Sequence, residues 1–456
     1  MIKKLSIKGF RGFGNSDKEF EFSLPNGVLS SGLNILVGQN NSGKSTVLES
    51  MKFFTYTGNK ISFSMAKRNI KNNDSIEIKT LNDNDETTIL KTIKSGGSEA
   101  EFSNNNLNNI IYIPSRRSFN RNFPKNPWNI ETLQQSASIF RDSNRQNDYS
   151  EFTYMYDELQ KNQADFQTLL EEVTNFPKWT IDLDESGNYF FKVVKNDGFH
   201  TSEGMGDGLI SILTMVGMLY LSKKGSTVII DEPELSLHPE VIKSLLEVIK
   251  RYSKDRQIII STHSPYLIDI ESITNGSKIF RVINDDNNIE FYELSEESIK
   301  FFRAVVRDNH FPHAFGLNTK EIFFIEDNIV VVEGQEDVVG YSKLLKEFNL
   351  KPFKFYGWGA GGAGNIINVV KVLKDLGFKK IACIYDGDKE DDYLKYKPVY
   401  EDVHFEIIPT DDIRDKHNDK NDLLKQGLLD KKFNLKIEYK KNLEDIFNNI
   451  RNYFNE

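Results

Sequence analysis

The chain has 456 residues, 38% hydrophobic and 27% charged, with a formal net charge of −9. This is the composition of a globular protein of about two to four domains, and its acidic balance argues against nonspecific nucleic-acid binding by the whole surface, though not against a local basic groove. A single cysteine, Cys383, excludes an internal disulfide and a cysteine-based metal cluster, and no apolar run approaches the ~18 residues of a membrane span; the expected location is the cytoplasm.

Residues 1 to 55 read as strand, turn, strand, phosphate loop and helix. The opening "MIKKLSIKGFRGFG" alternates as a strand does and a signal peptide does not. Residues 56 to 110 are rich in Asn, Lys, Ser and Thr, and the runs "DSIEIKTL" and "TTILKTI" predict a small antiparallel sheet with mobile loops. "NNIIYIPSRR" reads as a buried strand ending in two arginines. Residues 130 to 175 predict helices, as in "FTYMYDELQKNQADFQTLLEEV", without the sustained heptads of a long coiled-coil arm. "GNYFFKVVKNDG" is hairpin-like. A helix over 207–222, the strand "STVIIDE", a helix over 239–253 and the strand "RQIIIST" follow. Near 320 a second pattern begins, after a boundary placed at 295 to 320. Strands in "NIVVVEG", "KPFKFYGW" and "KKIACIYDGD" alternate with helices in "EDVVGYSKLLKEF" and "GNIINVVKVLKDLG". That alternation predicts a second parallel-sheet α/β domain.

Gly38-x4-Gly43-Lys44-Ser45, between a strand and a helix, is a full phosphate-loop pattern. Backbone amides over Gly38, Asn40, Asn41, Ser42, Gly43 and Thr46 would cradle the phosphates of ATP at a helix N-terminus. Lys44 would reach the β- and γ-phosphates, and Ser45 would ligate Mg²⁺. The strand in "VIIDEPELSLHP" ends in Asp231, placed to hold Mg²⁺ through water, and Glu232, placed to orient the attacking water. The strand in "IIISTHSP" ends in His263, within reach of a γ-phosphate.

In their order, "GQNNSGKST", "IIDEPELSLHP" and "ISTHSP" resemble the ABC-type ATPases, which include the SMC and RecF-like heads. The resemblance implies a head dimer with ATP between the phosphate loop of one subunit and a signature segment of the other. "SEGMGDG" is the candidate for that segment, with Ser202 and Gly204 as contacts. It departs from the usual Ser-Gly-Gly or Ser-Gly-Glu form, and a plain Gly-rich helix cap is the alternative.

In the second half, "VVVEGQEDVVGY" ends a strand at Glu333 and puts Asp337 in the next helical turn, while "IACIYDGDKED" ends one at Asp386 and Asp388. Carboxylates at the C-terminal ends of parallel strands repel unless a cation lies among them. Oxygen-only ligands favour Mg²⁺ or Mn²⁺, which can drive phosphodiester hydrolysis. Glu-Gly after one strand and Asp-x-Asp after another, about fifty residues on, resemble the TOPRIM domain. That resemblance makes Glu333 a metal ligand or general base, Asp386 and Asp388 metal ligands, and Asp337 an assisting acid; it favours Asp337 over Glu336. Asp411 and Asp412 resemble the acidic segment of a second metal, or else belong to a solvated loop. Lys425 is a candidate for transition-state stabilisation.

An ABC-type head over 1–310, with an insertion of small sheet and helices over 56–200, followed by a TOPRIM nuclease domain over 320–456, resembles the OLD (overcoming lysogenization defect) family, which includes the Gabija nuclease subunit. The family implies an ATP-binding and ATP-hydrolysing, Mg²⁺- or Mn²⁺-dependent DNA endonuclease acting in antiphage defence. It also implies a homodimer or higher homo-oligomer on double-stranded DNA, with a co-encoded protein or RNA partner open. The alternatives are a toxin-like nuclease restrained by a partner and a RecF-type repair ATPase without nuclease activity. A topoisomerase would need a tyrosine nucleophile on a domain of its own, and no spare domain is available for it. Arg116, Arg117, Arg121 and Lys125, interleaved with Phe119 and Phe123, could track DNA; a solvated loop, or an arginine serving the ATP site, is the competing reading.

Overall fold

Leu33–Val37, five residues that are all buried, lies inside the main sheet of the first half in this computed structural model. The strand order across that sheet is 288–293, 278–285, 33–37, 257–262, 227–231 and 110–113. Leu33–Val37 pairs in parallel with Gln257–Thr262 and Lys278–Asp285, and Thr227–Asp231 in parallel with Gln257–Thr262 and Ile110–Ile113. These strands are near-continuous apolar runs because both faces of a parallel sheet are covered. The structure describes residues 1–115, 123–124, 158–201, 206–308 and 320–455, except 17, 56–59, 65–66, 70, 72–74, 94–96, 105–108, 160–161, 175–178, 184, 186–187, 196–197, 286–287, 326 and 419–422.

The antiparallel strands expected over 56–110 do not form a sheet of their own. They extend the first strands of the chain, in the order 19–21, 2–8, 77–82, 87–92, 99–102 and 60–62. The reason lies in their alternation. Ile78, opposite Ile7, and Leu90 turn to the same core as Ile2 and Leu5. That core is rich in phenylalanine: Phe20 stacks on Phe291 with ring centroids 3.7 Å apart and meets Phe280 edge-on at 5.5 Å. A third, antiparallel sheet holds Trp179–Leu183, Asn188–Lys195 and Gly198–Thr201. Helix Gln163–Thr174 buries Phe166, Leu169, Leu170 and Val173, at the 3–4 spacing of an amphipathic helix.

The chain divides into Met1–Phe291 and Tyr292–Glu456. Helix Glu296–Asp308 falls in the second unit, where the N–H of Ser295 donates to Asp375 at 2.9 Å. The sheet of this unit is parallel throughout, in the order 354–355, 329–331, 381–385 and 404–407. The last helix, Lys440–Asn455, buries Leu443, Ile446, Phe447 and Ile450. Phe447 is fully buried, with the rings of Phe353, Phe348 and Tyr341 at 5.7, 6.0 and 6.1 Å. Phe447→Ala should cost about 3–5 kcal/mol in a urea titration; a loss below about 1 kcal/mol would show that this helix is not part of the cooperative core.

Candidate functional sites

In the first unit Gln257–Thr262 lies between the strands that carry the other two motifs, with Ser261 level with both Leu36 and Asp231. The loops after the three strands are therefore neighbours at the carboxyl edge, where open α/β sheets bind ligands. Gly38 and Gly43 are required by shape and space. Their φ angles are 147° and 107°, and an added Cβ would lie 2.3 Å from the Val282 carbonyl oxygen and from Ile289 Cδ1, respectively. Gly43 caps helix Lys44–Lys52, so the loop ends at a positive helix terminus.

Lys44 is 4% exposed, and its Nζ donates to the carbonyls of Gly38 and Gln39 at 2.9 and 2.8 Å. Burial lowers its pKa to about 8, against the pull of Glu232, Asp231 and Glu234. Ser45 Oγ donates to Asp231 Oδ1 at 3.3 Å, and Ser261 Oγ donates to the same oxygen. Glu232 sits in left-handed backbone at φ 48°, and its Oε1 lies 3.3 Å from His263 Nε2. Around them Ser42 and Thr46 are buried, and Asn40 and Asn41 exposed. The geometry thus joins Lys44, Ser45, Asp231, Glu232 and His263. Ser202 and Gly204 lie outside the described residues, as do Arg116, Arg117, Phe119, Arg121 and Lys125. Glu234, given no role from sequence, is half-buried and accepts from Thr262 Oγ1 at 2.8 Å and the His263 N–H at 2.6 Å. Burial pushes its carboxyl up, opposed by the His263 amide bond.

In the second unit Ile329–Val331 and Ile381–Tyr385 pair in parallel, and every residue in both is buried. Glu333 and Asp386–Asp388 therefore leave the same edge of the sheet. The N–H of Gly334 donates to Asp337 Oδ2 at 2.8 Å, which ties the first turn of helix Gln335–Glu347 to the Glu333 loop. Asp337, Asp386 and Asp412 are 5%, 7% and 5% exposed. Burial pushes the carboxyls of Asp337 and Asp386 up, and the neighbouring acids add to it: Glu333 and Asp412 at Asp337, and Asp337, Asp412, Glu333 and Asp388 at Asp386. Glu333 Oε2 is buried without a hydrogen-bond partner.

Lysines flank the cluster. Lys416 Nζ is 2.8 Å from Asp412 Oδ2, and Lys425 Nζ is 2.6 Å from Asp388 Oδ2. Glu336 is taken up by Arg414, at 3.0 and 2.5 Å, and by Lys416 at 2.8 Å. These partners lower its pKa to about 2. Asp411 is exposed. Among the described residues, no three acids close on one point at metal-ligand distance. Lys416 carried no role in the sequence reading. The available signal was alternation, since Asp412, Arg414 and Lys416 are spaced by two, as on one side of a strand, and Lys416 bridges Asp412 to the Glu336 that Arg414 also holds.

Residues 33–269, just over half of the chain, match the protein family described as "AAA domain, putative AbiEii toxin, Type IV TA system". The chain is 28% identical over 163 residues to the Old nuclease of Escherichia phage P2, a stretch covering 35% of this chain and 27% of that protein. It is 30% identical over 172 residues to the OLD nuclease of Thermus scotoductus, covering 37% of this chain and 32% of that one. The match thus spans about a third of the length of these relatives, or less. A solved Smc head domain from Pyrococcus furiosus, bound to the C-terminal domain of ScpA, superposes with a TM-score of 0.45 at 16% identity over 67% of this chain and 99% of that one. The SMC head domain from Thermotoga maritima gives 0.38 at 14% identity over 64% of this chain and 99% of that one. No described helix is long and apolar enough to cross a membrane.

Proposed function

We propose that this chain, which belongs to the AAA-domain family that its residues 33–269 match, is an ATP-dependent, divalent-metal-dependent DNA endonuclease of the OLD type. The observation that carries the nuclease half is the gathering of Glu333, Asp337, Asp386, Asp388 and Asp412 on one sheet edge, three of them almost fully buried. Burying so many carboxylates is costly unless a cation compensates them. The donor set fits a hard cation, because it is all oxygen and Glu333 Oε2 is buried with no partner. Glu333, Asp386 and Asp388, with Asp337 beside them, would hold Mg²⁺ or Mn²⁺, which when bound supplies Lewis-acid polarisation of a phosphodiester oxygen. Lys425, held against Asp388, is placed to meet charge developing on the scissile phosphate.

In the first unit the loop amides and Lys44 would bind the triphosphate, Ser45 and Asp231 would hold its Mg²⁺, Glu232 would orient the attacking water and His263 would contact the γ-phosphate. Two heads closing on ATP would couple this site to cutting, with Ser202 and Gly204 completing the site of the partner head. Antiphage defence is the role this reading gives the protein. A second reading, a nuclease restrained by a protein or RNA partner, is favoured by the toxin–antitoxin wording of the family description.

The test is cleavage of supercoiled plasmid by the purified chain in Mg²⁺ or Mn²⁺, with and without ATP, beside Glu333→Ala. Nicking by the parent, lost in the variant and in EDTA, supports the reading, and the ATP lanes give the sign of the coupling. No cutting in any lane overturns the free-standing nuclease and leaves the restrained one. Cutting that survives Glu333→Ala overturns this site as the nuclease.

A further inference from the structure

We propose that Glu234 is a positioning residue of the ATPase site, fixing the backbone of His263 so that its imidazole stays opposite Glu232. The inference rests on the reading of Glu232 and His263 as ATPase groups. It begins with the placement of the carboxylate. Glu234 stands in the turn after Thr227–Asp231, a turn closed by the bonds Leu235 N–H to Glu232 O at 3.2 Å and Leu237 N–H to Glu234 O at 3.0 Å. From this turn the side chain reaches across to the end of the neighbouring strand. There Oε1 accepts two hydrogen bonds, from Thr262 Oγ1 and from the His263 N–H. Thr262 Oγ1 in turn accepts the Ser264 N–H at 2.9 Å, and Ser264 Oγ accepts the Tyr266 N–H at 3.3 Å. The His263 turn is thus fastened at its amide and on both sides of it.

A carboxylate is an expensive way to fasten a loop. Oε2 of Glu234 is buried without a hydrogen-bond partner, and an unsatisfied buried polar atom calls for an explanation. A neutral side chain would hold the turn at less cost if only stability were at stake. An ionised acceptor instead makes hydrogen bonds roughly twice as strong as neutral ones. That stiffness acts on one contact with chemical meaning, the 3.3 Å between His263 Nε2 and Glu232 Oε1. Glu232 is itself constrained, with φ at 48° and its N–H donating to the Ser261 carbonyl at 3.1 Å. The walls of the gap are therefore set from two strands, and Glu234 is the side chain that ties one strand's turn to the other's. Its turn is also fixed from behind: a Cβ on Gly208 would lie 2.4 Å from the Ser236 carbonyl oxygen, so helix Asp207–Leu221 packs directly against it.

A double-mutant cycle on the full chain tests this by steady-state ATP hydrolysis. Glu234→Ala should lower kcat by about 30- to 100-fold with KM for ATP within about threefold, because the lost group orients and does not bind. Glu234→Gln, which keeps one acceptor oxygen but not the charge, should recover part of kcat and leave a loss of about three- to tenfold. In a His263→Ala background Glu234→Ala should cost less than about threefold, since the side chain it positions is gone. Equal losses in both backgrounds would overturn the inference and leave Glu234 a structural residue. If His263→Ala itself leaves kcat unchanged, the reading of His263 fails, and the inference with it. Should Glu234→Ala fail to fold, Glu234→Gln decides: a loss of kcat in Glu234→Gln that is equally large in the His263→Ala background overturns the proposal.

Discussion

Lys44→Ala should lower ATP turnover by at least about 100-fold, the scale of losing one preorganised charge at a reacting phosphoryl group. The argument comes from what surrounds the side chain. Lys44 is almost fully buried, and its ammonium is held by two loop carbonyls rather than by a carboxylate. Burial has already lowered its pKa to about 8. The fold therefore keeps a desolvated cation poised for an anion. Its depressed pKa also sets the sign of a pH effect. Below pH 8 the ammonium is present before ATP arrives. Above pH 8 the amine must regain a proton on binding, so ATP affinity should fall by up to about tenfold per pH unit until the bound-state pKa is passed. Removing the side chain should remove that pH dependence. Fluorescent-nucleotide titration from pH 7 to 9.5 checks it, and a flat profile in the parent would mean that Lys44 does not meet the phosphates. The sign for stability is separate. A lysine whose folded pKa lies below its unfolded one destabilises the fold while charged, so Lys44→Ala should leave the melting temperature unchanged or higher in nucleotide-free protein.

The two parallel sheets were legible because their central strands are apolar runs bounded by turn residues. The helices at 207–221, 239–252, 335–347 and 363–375, and the strands at 33–37, 227–231, 257–262, 329–331 and 381–385, lie where periodicity puts them. What sequence could not show was which sheet a strand joins. Glu77–Asn82 and Thr87–Thr92 read as a local pair, yet they continue the sheet begun by Ile2–Lys8, because alternation fixes a buried face and not a neighbour. The last 60 residues were equally opaque. Their strands are three or four residues long, too short for a period to register, and their order comes from packing under helix Lys440–Asn455.

The candidate sites divide in the same way. Residues that follow apolar strand sequences, Asp231, Glu232, Glu333, Asp386 and Asp388, could be named because the apolar run announces them. The groups that hold them could not. Glu234 is bonded to the backbone just past another strand, and Lys416 to a carboxylate four residues before it, on the preceding short strand. Neither was given a role from the sequence. Glu336 and Asp337 show how little separates the two cases. They are adjacent acids, yet Glu336 is held by Arg414 while Asp337 caps its own helix beside Glu333.

Asp386→Asn should abolish cleavage while leaving ATP turnover within about twofold, the expectation for carboxylate chemistry in one unit and nucleotide chemistry in the other. Plasmid cleavage should fall about 1,000-fold or more if, as proposed, Asp386 helps to hold the metal ion that polarises the phosphate. The same change should raise stability. Asp386 is 7% exposed, and burial with four neighbouring acids pushes its carboxyl up. At neutral pH, burying it costs either the uptake of a proton that the unfolded chain does not hold or the desolvation of a charge among like charges; asparagine avoids both and keeps the size. A gain of about 1 kcal/mol would appear as roughly 2–4 °C in a thermal melt of a unit this large. The gain should shrink in the presence of Mn²⁺, because only the parent site would be stabilised by binding the ion. A site built for packing alone would show the opposite pattern, a loss of stability with asparagine and no sensitivity to the ion, whereas stability given up for activity is the signature of a functional centre. Differential scanning calorimetry of parent and Asp386→Asn, each with EDTA and with Mn²⁺, separates the two without any substrate in the cell. A destabilised variant that still cuts plasmid would remove Asp386 from the chemistry altogether.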